Sequence, residues 1–491
     1  MRHNRGFSVI EIVIAAAIGM TVTTAAALVA FGGQSAVAGF QTDAAVLAAA
    51  ERMLEDARAR SLDDMSRVVP VPASVQDGIE TELAVELLSD QVTRRVTARA
   101  TAVHGVMRTH AVSLTTLMTG RADADAPDTC AATLSTWTDT AISDSVSVGD
   151  SAVAGPVMGI DALGGRVALA AGNGGVADFY LYEQDDDGGL RELASADIVP
   201  GSVGLAGVVM LRPERQVAFT LSAAQPNFTT CTEGPACAHL MVVALDPGPR
   251  LVHSVKVPGV RGAGGQGRGK SIAYHDGRLY IGLAKTGGGP EFVIFDARES
   301  REPRYLGGFS VGAGVESIVV AGDLAYIATD DSARELLILD VHNPSAPQVR
   351  GVYDAPGPAN FGYGNIVRVR GEELTLGRTY APNAAELAIL GVQEPLSPTH
   401  VLSYDSGTTQ SPQSINGIAV DGPLTFLVTT DYLQLWQLRH TSGPVLLRQF
   451  DIGASGAVGS AGDCDGETFY AGGYRTDNHR GMVYAITAAH P

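Results

Sequence analysis

Basic residues are scarce in this chain of 491 residues. Lys and Arg number 34 against 53 Asp and Glu, giving a formal net charge of -19, and no dense basic run occurs after the first few residues. A nucleic-acid backbone selects for clustered Lys and Arg, so no nucleic-acid partner is expected. Charge of either sign is thin as well, at 18% of residues, whereas glycine (58) and proline (24) are plentiful. This balance suits a turn-rich β protein rather than a mainly helical one. The length points to two or three domains. Cysteine is limited to Cys130, Cys231, Cys237 and Cys464. A tetrahedral metal site near Cys231 and Cys237 would want further ligands, and His239 alone does not supply them. No metal or other cofactor is expected.

A long apolar run occurs at the N-terminus, lasting to about Phe31, and it holds one carboxylate, Glu11. A carboxylate inside a membrane costs about 2.5 to 3.5 kcal/mol by insertion scales, so it is kept where a partner compensates it. The surrounding heptapeptide, Arg5-Gly6-Phe7-Ser8-Val9-Ile10-Glu11, resembles the cleavage and methylation site of type IV prepilins. That resemblance implies a prepilin peptidase that cuts between Gly6 and Phe7 and methylates the new amine. It also implies that Glu11 faces the Phe7 ammonium of a neighbouring pilin subunit as the N-terminal helices bundle. A secretory signal peptide cleaved near Ala25-Ala26-Ala27, or a plain membrane anchor, would share the basic start and apolar stretch. Neither explains Glu11 at its distance from Gly6-Phe7. Arg2 and Arg5 predict a cytoplasmic N-terminus. The chain is then expected in the inner membrane before assembly and afterwards on the pilus filament at the cell surface.

Past Phe31, apolar residues at Val37, Phe40, Ala44, Leu47, Ala48, Met53 and Leu54 keep helical spacing. A leader over 1–6 and a transmembrane and assembly helix over 7–61 are therefore expected. From Gly78 the period changes to two, through Ile79, Thr81, Leu83, Val85 and Leu87 and on to Leu117. Three or four antiparallel strands within 62–120 would complete a small α+β pilin-like domain, with a linker over 121–130. In an exported region disulfides are permitted. Cys231 and Cys237 bracket the turn-rich segment Thr-Glu-Gly-Pro-Ala, which a disulfide would close, leaving Cys130 and Cys464 to each other.

The remainder repeats. Glu291-Phe292-Val293-Ile294-Phe295-Asp296 and Glu335-Leu336-Leu337-Ile338-Leu339-Asp340 are followed in the same register by Pro303 and Pro347, then by Gly307 and Gly351. The stretch Asp340-Val341-His342-Asn343-Pro344-Ser345-Ala346-Pro347 resembles the LVIVD repeat, which builds β-propellers. Carrying the register both ways places third strands around Tyr180, Val242, Val293, Ile338, Ile389, Leu435 and Val483. Each has an apolar second strand upstream, so an all-β seven-bladed propeller is expected over 131–491. The seventh copy runs out of chain after Ile486, so a strand over 133–146 is assigned to complete it and remove two open edges. A Cys130–Cys464 disulfide across the propeller would then stabilise it by about 4 to 5 kcal/mol in the chain-entropy treatment.

Three segments invite a chemical reading. Ser403-Tyr404-Asp405-Ser406-Gly407-Thr408-Thr409 matches the core of a sialidase-type box, but Gln410 stands where Trp belongs, and a turn between blades explains it. Asp185-Asp186-Asp187-Gly188-Gly189 is acidic without a Ca²⁺-loop pattern and reads as a hairpin turn. The Gly-rich stretch 262–269, flanked by Arg261 and Lys270, lacks the order of a phosphate loop. No nucleophile, base and orienting group stand at a spacing that would assemble them. The chain is expected to be a minor pilin or pseudopilin, not an enzyme, displaying a propeller for adhesion or partner recognition, with a surface, protein or glycan as ligand. A membrane-tethered or secreted propeller hydrolase and a type II secretion pseudopilin are the alternatives.

Overall fold

The computed structural model describes helical positions between 46 and 53, strand residues between 71 and 148, and 155–488 apart from short interruptions. The chain divides into two compact units, the second of which spans 7–126. Within that unit the described residues form a four-stranded antiparallel meander of Val71–Gln76, Ile79–Leu87, Thr93–His104 and Arg108–Thr119. Its buried face carries Leu83, Val96, Ala98, Ala100 and Ala102, against which Val46, Ala49 and Ala50 pack.

This corrects the α+β class expected for the N-terminal part. The described chain is nearly all β: apart from the helical positions between 46 and 53 and two single-turn 3-10 segments in the propeller, its elements are strands. Of the helix expected over 7–61, the described residues are positions between Val46 and Met53, which are helical, and 7–45 and 54–61 lie outside them. The alternating pattern from Ile79 onward forms strands as expected, and a further strand, Val71–Gln76, stands upstream of Gly78. Among the described residues no helix is long and apolar enough to cross a membrane.

Among its described residues the other unit contains seven sheets, six of four strands and one of five. The four-stranded sheets are antiparallel meanders, and the inner strands of all seven adjoin one another in sequence. These are Val157–Leu163, Leu205–Met210, Gly269–His275, Val315–Ala321, Gly364–Arg370, Ile415–Asp421 and Ala457–Gly466. The last also packs on the first, which closes a ring of seven blades, numbered 1 to 7 in that order.

The core is distributed between blades. Leu336 and Ile338 pack toward blade 5 with Leu374 and Leu376, while Leu337 and Leu339 pack toward blade 3 with Phe292 and Ile294. A third strand buried on both faces has no polar side to alternate with, which is why these strands read as unbroken apolar runs.

Blade 7 takes its outer strand, Thr140–Ser147, from the start of the unit, antiparallel to Gly481–Ala488. Thr129–Cys130, at the end of the expected linker, runs parallel to the end of the blade 7 inner strand. Residues 131–139, assigned partly to the closing strand, lie outside the described ones. Polar side chains reinforce the junction of blades 7 and 1. The buried Asp463 carboxylate accepts the Ala162 N–H at 2.7 Å, and Asp465 accepts the Gly165 N–H at 2.6 Å. The Tyr470 and Thr468 hydroxyls donate to the Gln184 amide oxygen at 2.7 and 3.0 Å, and Ser460 Oγ donates to the Val157 carbonyl.

Replacing Asp463 by Ala leaves the Ala162 N–H buried without an acceptor. The stability of the propeller should fall by about 1 to 3 kcal/mol, read from the midpoint of urea unfolding; an unchanged midpoint would show that this contact does not help hold the ring closed.

Candidate recognition face

In a meander that starts at the centre, the loops joining second to third strands lie at the same end of the blade as the loops leading to the next blade. Chain leaving an outer strand crosses that end to reach the next inner strand. Its N–H groups have no ladder partner there, and buried N–H groups require acceptors. A polar residue immediately before the third strand supplies them in four blades. Asp178 accepts from Ile198 and Val199 at 2.6 and 3.0 Å, and Glu291 accepts from Gly312 at 3.1 Å. Glu335 accepts from Ala355 at 2.8 Å, and His239 Nδ1 accepts from Val257 at 3.0 Å.

All four side chains are buried, but they differ in charge chemistry. Burial pushes the Asp178 carboxyl up to about 6, against the opposing effect of the two N–H donors. Burial likewise holds His239 down at about 3, so it is neutral, and accepting at Nδ1 fixes its proton on Nε2. The His239 ring stacks on Phe228 with centroids 4.2 Å apart. In blade 6 the loop before the third strand is short, and the Asp431 backbone carbonyl does the accepting, from Ile452 and Gly453 at 2.9 Å each.

Blade 4 adds a second device. Arg378 is buried to 2% exposure and binds Glu335 Oε1 at 2.8 Å. It also donates to the carbonyls of Gly362, Pro356 and Ala385 at 3.1, 3.2 and 2.8 Å. One guanidinium thus holds the loop from blade 4 to blade 5 against the second-to-third loop of blade 5. Burial pushes the Glu335 carboxyl up, while the Ala355 N–H and the Arg378 guanidinium oppose that rise.

The predicted disulfide between Cys231 and Cys237 is present, with Cα atoms 5.7 Å apart. Its loop is anchored by Lys256 Nζ, which donates to the carbonyls of Phe228 and Cys231. Cys464 is also disulfide-bonded and no described cysteine is free. Cys130, its expected partner, stands in the short strand whose backbone pairs beside Gly466. Gly6, Phe7 and Glu11 lie outside the described residues.

The Gly-rich stretch at 262–269 packs across the same face, exchanging backbone hydrogen bonds from Arg261 with Gly287 and Gly288 and from Gly262 with Phe228. Asp185 caps a hairpin turn, accepting the Gly189 N–H at 2.6 Å. Ser403 and Tyr404 end the outer strand of blade 5, and 406–412 lie outside the described residues.

At the opposite end of blade 4 a depression of about 330 Å³ is lined by Asp323, Asp340, His342, Asn343, Gln348 and Arg350. Its polar side chains pair off, Arg350 Nε with Asp340 at 3.1 Å and His342 Nδ1 with Asp323 at 3.0 Å. Among the described residues no group of three His, Cys, Asp or Glu side chains is placed to hold a metal ion.

The family profile described as LVIVD repeat matches residues 313–355, which coincide with blade 4. Two solved structures resemble the chain. The β-propeller domain of Cps50 (Swd1) from Myceliophteria thermophila is 12% identical, with a TM-score of 0.47 over 71% of this chain and 100% of that one. A catalytically inactive virginiamycin B lyase from Staphylococcus aureus with quinupristin is 11% identical, with a TM-score of 0.48 over 70% and 99%. No curated protein matches the sequence. The chain is a β-propeller protein that carries an LVIVD repeat.

Two consequences are measurable. Because the folded carboxyl of Asp178 titrates near 6 rather than 3.8, the native state retains a proton that the unfolded chain has lost. Stability should therefore decline by on the order of 2 to 3 kcal/mol as pH rises from about 4 to 6 and lose nothing further above that through this group. Urea titrations across this range should show that component absent in Asp178→Asn. Replacing Arg378 by Met strands the Glu335 carboxylate, and an unfolding free energy lower by about 3 to 5 kcal/mol is expected. A loss below 1 kcal/mol would mean that the ion pair does not hold these loops.

Proposed function

We propose that this protein is a minor pilin or pseudopilin that displays its β-propeller as a recognition module, assembled through its N-terminal segment. The observation that carries this reading is the heptapeptide from Arg5 to Glu11, in which Gly6-Phe7 stands as the processing point and Glu11 as the counter-charge of the Phe7 amine. Prepilin peptidase is the processing partner, and the inner membrane holds the chain until other pilin subunits take it up. The propeller lends itself to binding because loops from separate blades share one end of a closed frame, and binding residues concentrate on loops held by rigid scaffolds. Its size favours a tip or occasional position, since a large domain is hard to repeat along a packed filament. It acts by binding rather than by catalysis.

Replacing Glu11 by Ala should leave cleavage at Gly6-Phe7 largely intact while removing the protein from sheared filaments. Mass spectrometry of the mature N-terminus should find methylated Phe7. A mature chain beginning beyond Ala27, or normal filament incorporation of the Glu11→Ala protein, would overturn the reading.

A further inference from the structure

The loop pair gathered by Arg378 presents two exposed aromatic side chains. Phe361 is 46% exposed and Tyr380 39%. The other exposed large apolar side chains of the described propeller sit on outer strands, at Met158 on an inner strand or at Leu396 on the opposite end. The backbones carrying Phe361 and Tyr380 adjoin, because the Gly362 N–H donates to the Tyr380 carbonyl at 3.3 Å. Gly362 makes this approach possible. It has a φ of 72°, and a Cβ there would meet the Arg378 guanidinium at 2.4 Å.

The rings stand on a braced base. Besides the Arg378 bonds, the Asn360 N–H donates to Ser332 Oγ at 3.1 Å and the Tyr363 hydroxyl to the Asn360 carbonyl at 3.1 Å. The Tyr380 N–H donates to Ser414 Oγ at 3.0 Å. Rigid aromatic side chains lose little conformational freedom when they bind, which makes them effective anchors.

The chemistry around the rings selects a ligand class. Neither 355–363 nor 379–385 contains a charged side chain, in a protein that carries 53 acidic residues. The polar groups bordering the rings are amides and hydroxyls. Asp354, at the start of the first loop, is the exposed charge nearest in sequence and is acidic, so an anionic ligand would find no exposed counter-charge on these two loops. A protein partner would usually cover about 800 Å² per side, and two exposed rings form a small anchor for that. A sugar ring fits both features, because its C–H face stacks on the electron-rich face of an aromatic ring while its hydroxyls meet neutral donors and acceptors.

We infer that Phe361 and Tyr380 form a stacking platform for a neutral glycan on the inter-blade face at the junction of blades 4 and 5. This rests on the recognition role proposed above and names its ligand class and site.

The test uses the full chain in detergent on an array carrying neutral and acidic glycans. Binding to neutral glycans is expected, weakened about tenfold or more by Phe361→Ala or Tyr380→Ala and restored by Phe361→Trp. Unchanged thermal unfolding of the alanine variants would exclude a folding defect. Absence of binding on the array, binding confined to acidic glycans, or binding that survives both alanine substitutions overturns the assignment. Capture of a protein partner that depends on the two rings, without glycan binding, overturns it as well. The display reading is judged separately. Filament incorporation should be normal in the ring variants and lost in Glu11→Ala, while purified Glu11→Ala protein should bind glycan as the parent does.

Discussion

The propeller depends on how it satisfies the backbone where the chain passes from one blade to the next. At that crossing the N–H groups leave the ladder and are buried before the next inner strand begins. An acceptor placed just before the third strand meets them, from a carboxylate in Asp178, Glu291 and Glu335 and from a neutral imidazole in His239. The choice of group changes the energetics while leaving the geometry alone. A carboxylate makes strong hydrogen bonds but resists burial, as the raised positions of Asp178 and Glu335 show. An imidazole accepts one bond and avoids burying charge, which suits blade 2, where the same end carries the long disulfide loop and Lys256 lies close by.

Much of this was visible in the repeat, although its meaning was not. Glu291 and Glu335 open the two best copies, and Asp296 and Asp340 close them. The closing aspartates accept the N–H two residues on, at Arg298 and His342, and so fix the turn to the outer strand. Gly307 is demanded by a neighbour, since a Cβ there would meet the Pro344 carbonyl at 2.3 Å. Spacing alone revealed the register because these residues stand at the same offsets in blades 3 and 4.

Arg378 was not legible in this way. Its partners are a carboxylate 43 residues away and carbonyls in two loops, and no local period encodes a contact between blades. The N-terminal part shows the opposite limit. Alternation from Ile79 to Leu117 marked strands, but the first strand, Val-Pro-Ala-Ser-Val-Gln, is too polar and proline-bearing to be marked. Apolar residues at helical spacing were read across 7–61, and the described positions of that span, between Val46 and Met53, are helical. Periodicity establishes what a segment can bury, and here Val46, Ala49 and Ala50 bury against the sheet.

The junction of blades 7 and 1 bears a different burden from the other six. Elsewhere each blade is one continuous stretch of chain, whereas blade 7 is assembled from two segments, and its contacts with blade 1 join residues some 300 positions apart. Apolar packing of Tyr470, Val483 and Ala485 against Val167 and Leu169 supplies attraction. It does not by itself specify register, because hydrophobic contact is non-directional. Direction comes from Asp463, Asp465, Ser460 and Tyr470, each bonded to a particular atom of blade 1, and from the ladder of Thr140–Ser147 on Gly481–Ala488. The same division of labour operates at the junction of blades 4 and 5. There Leu336 and Leu374 supply the packing, and Arg378 with Glu335 fixes the loops that stand above it. A face assembled from separate blades keeps its shape only when both kinds of contact are present, one to hold the blades together and the other to set their alignment.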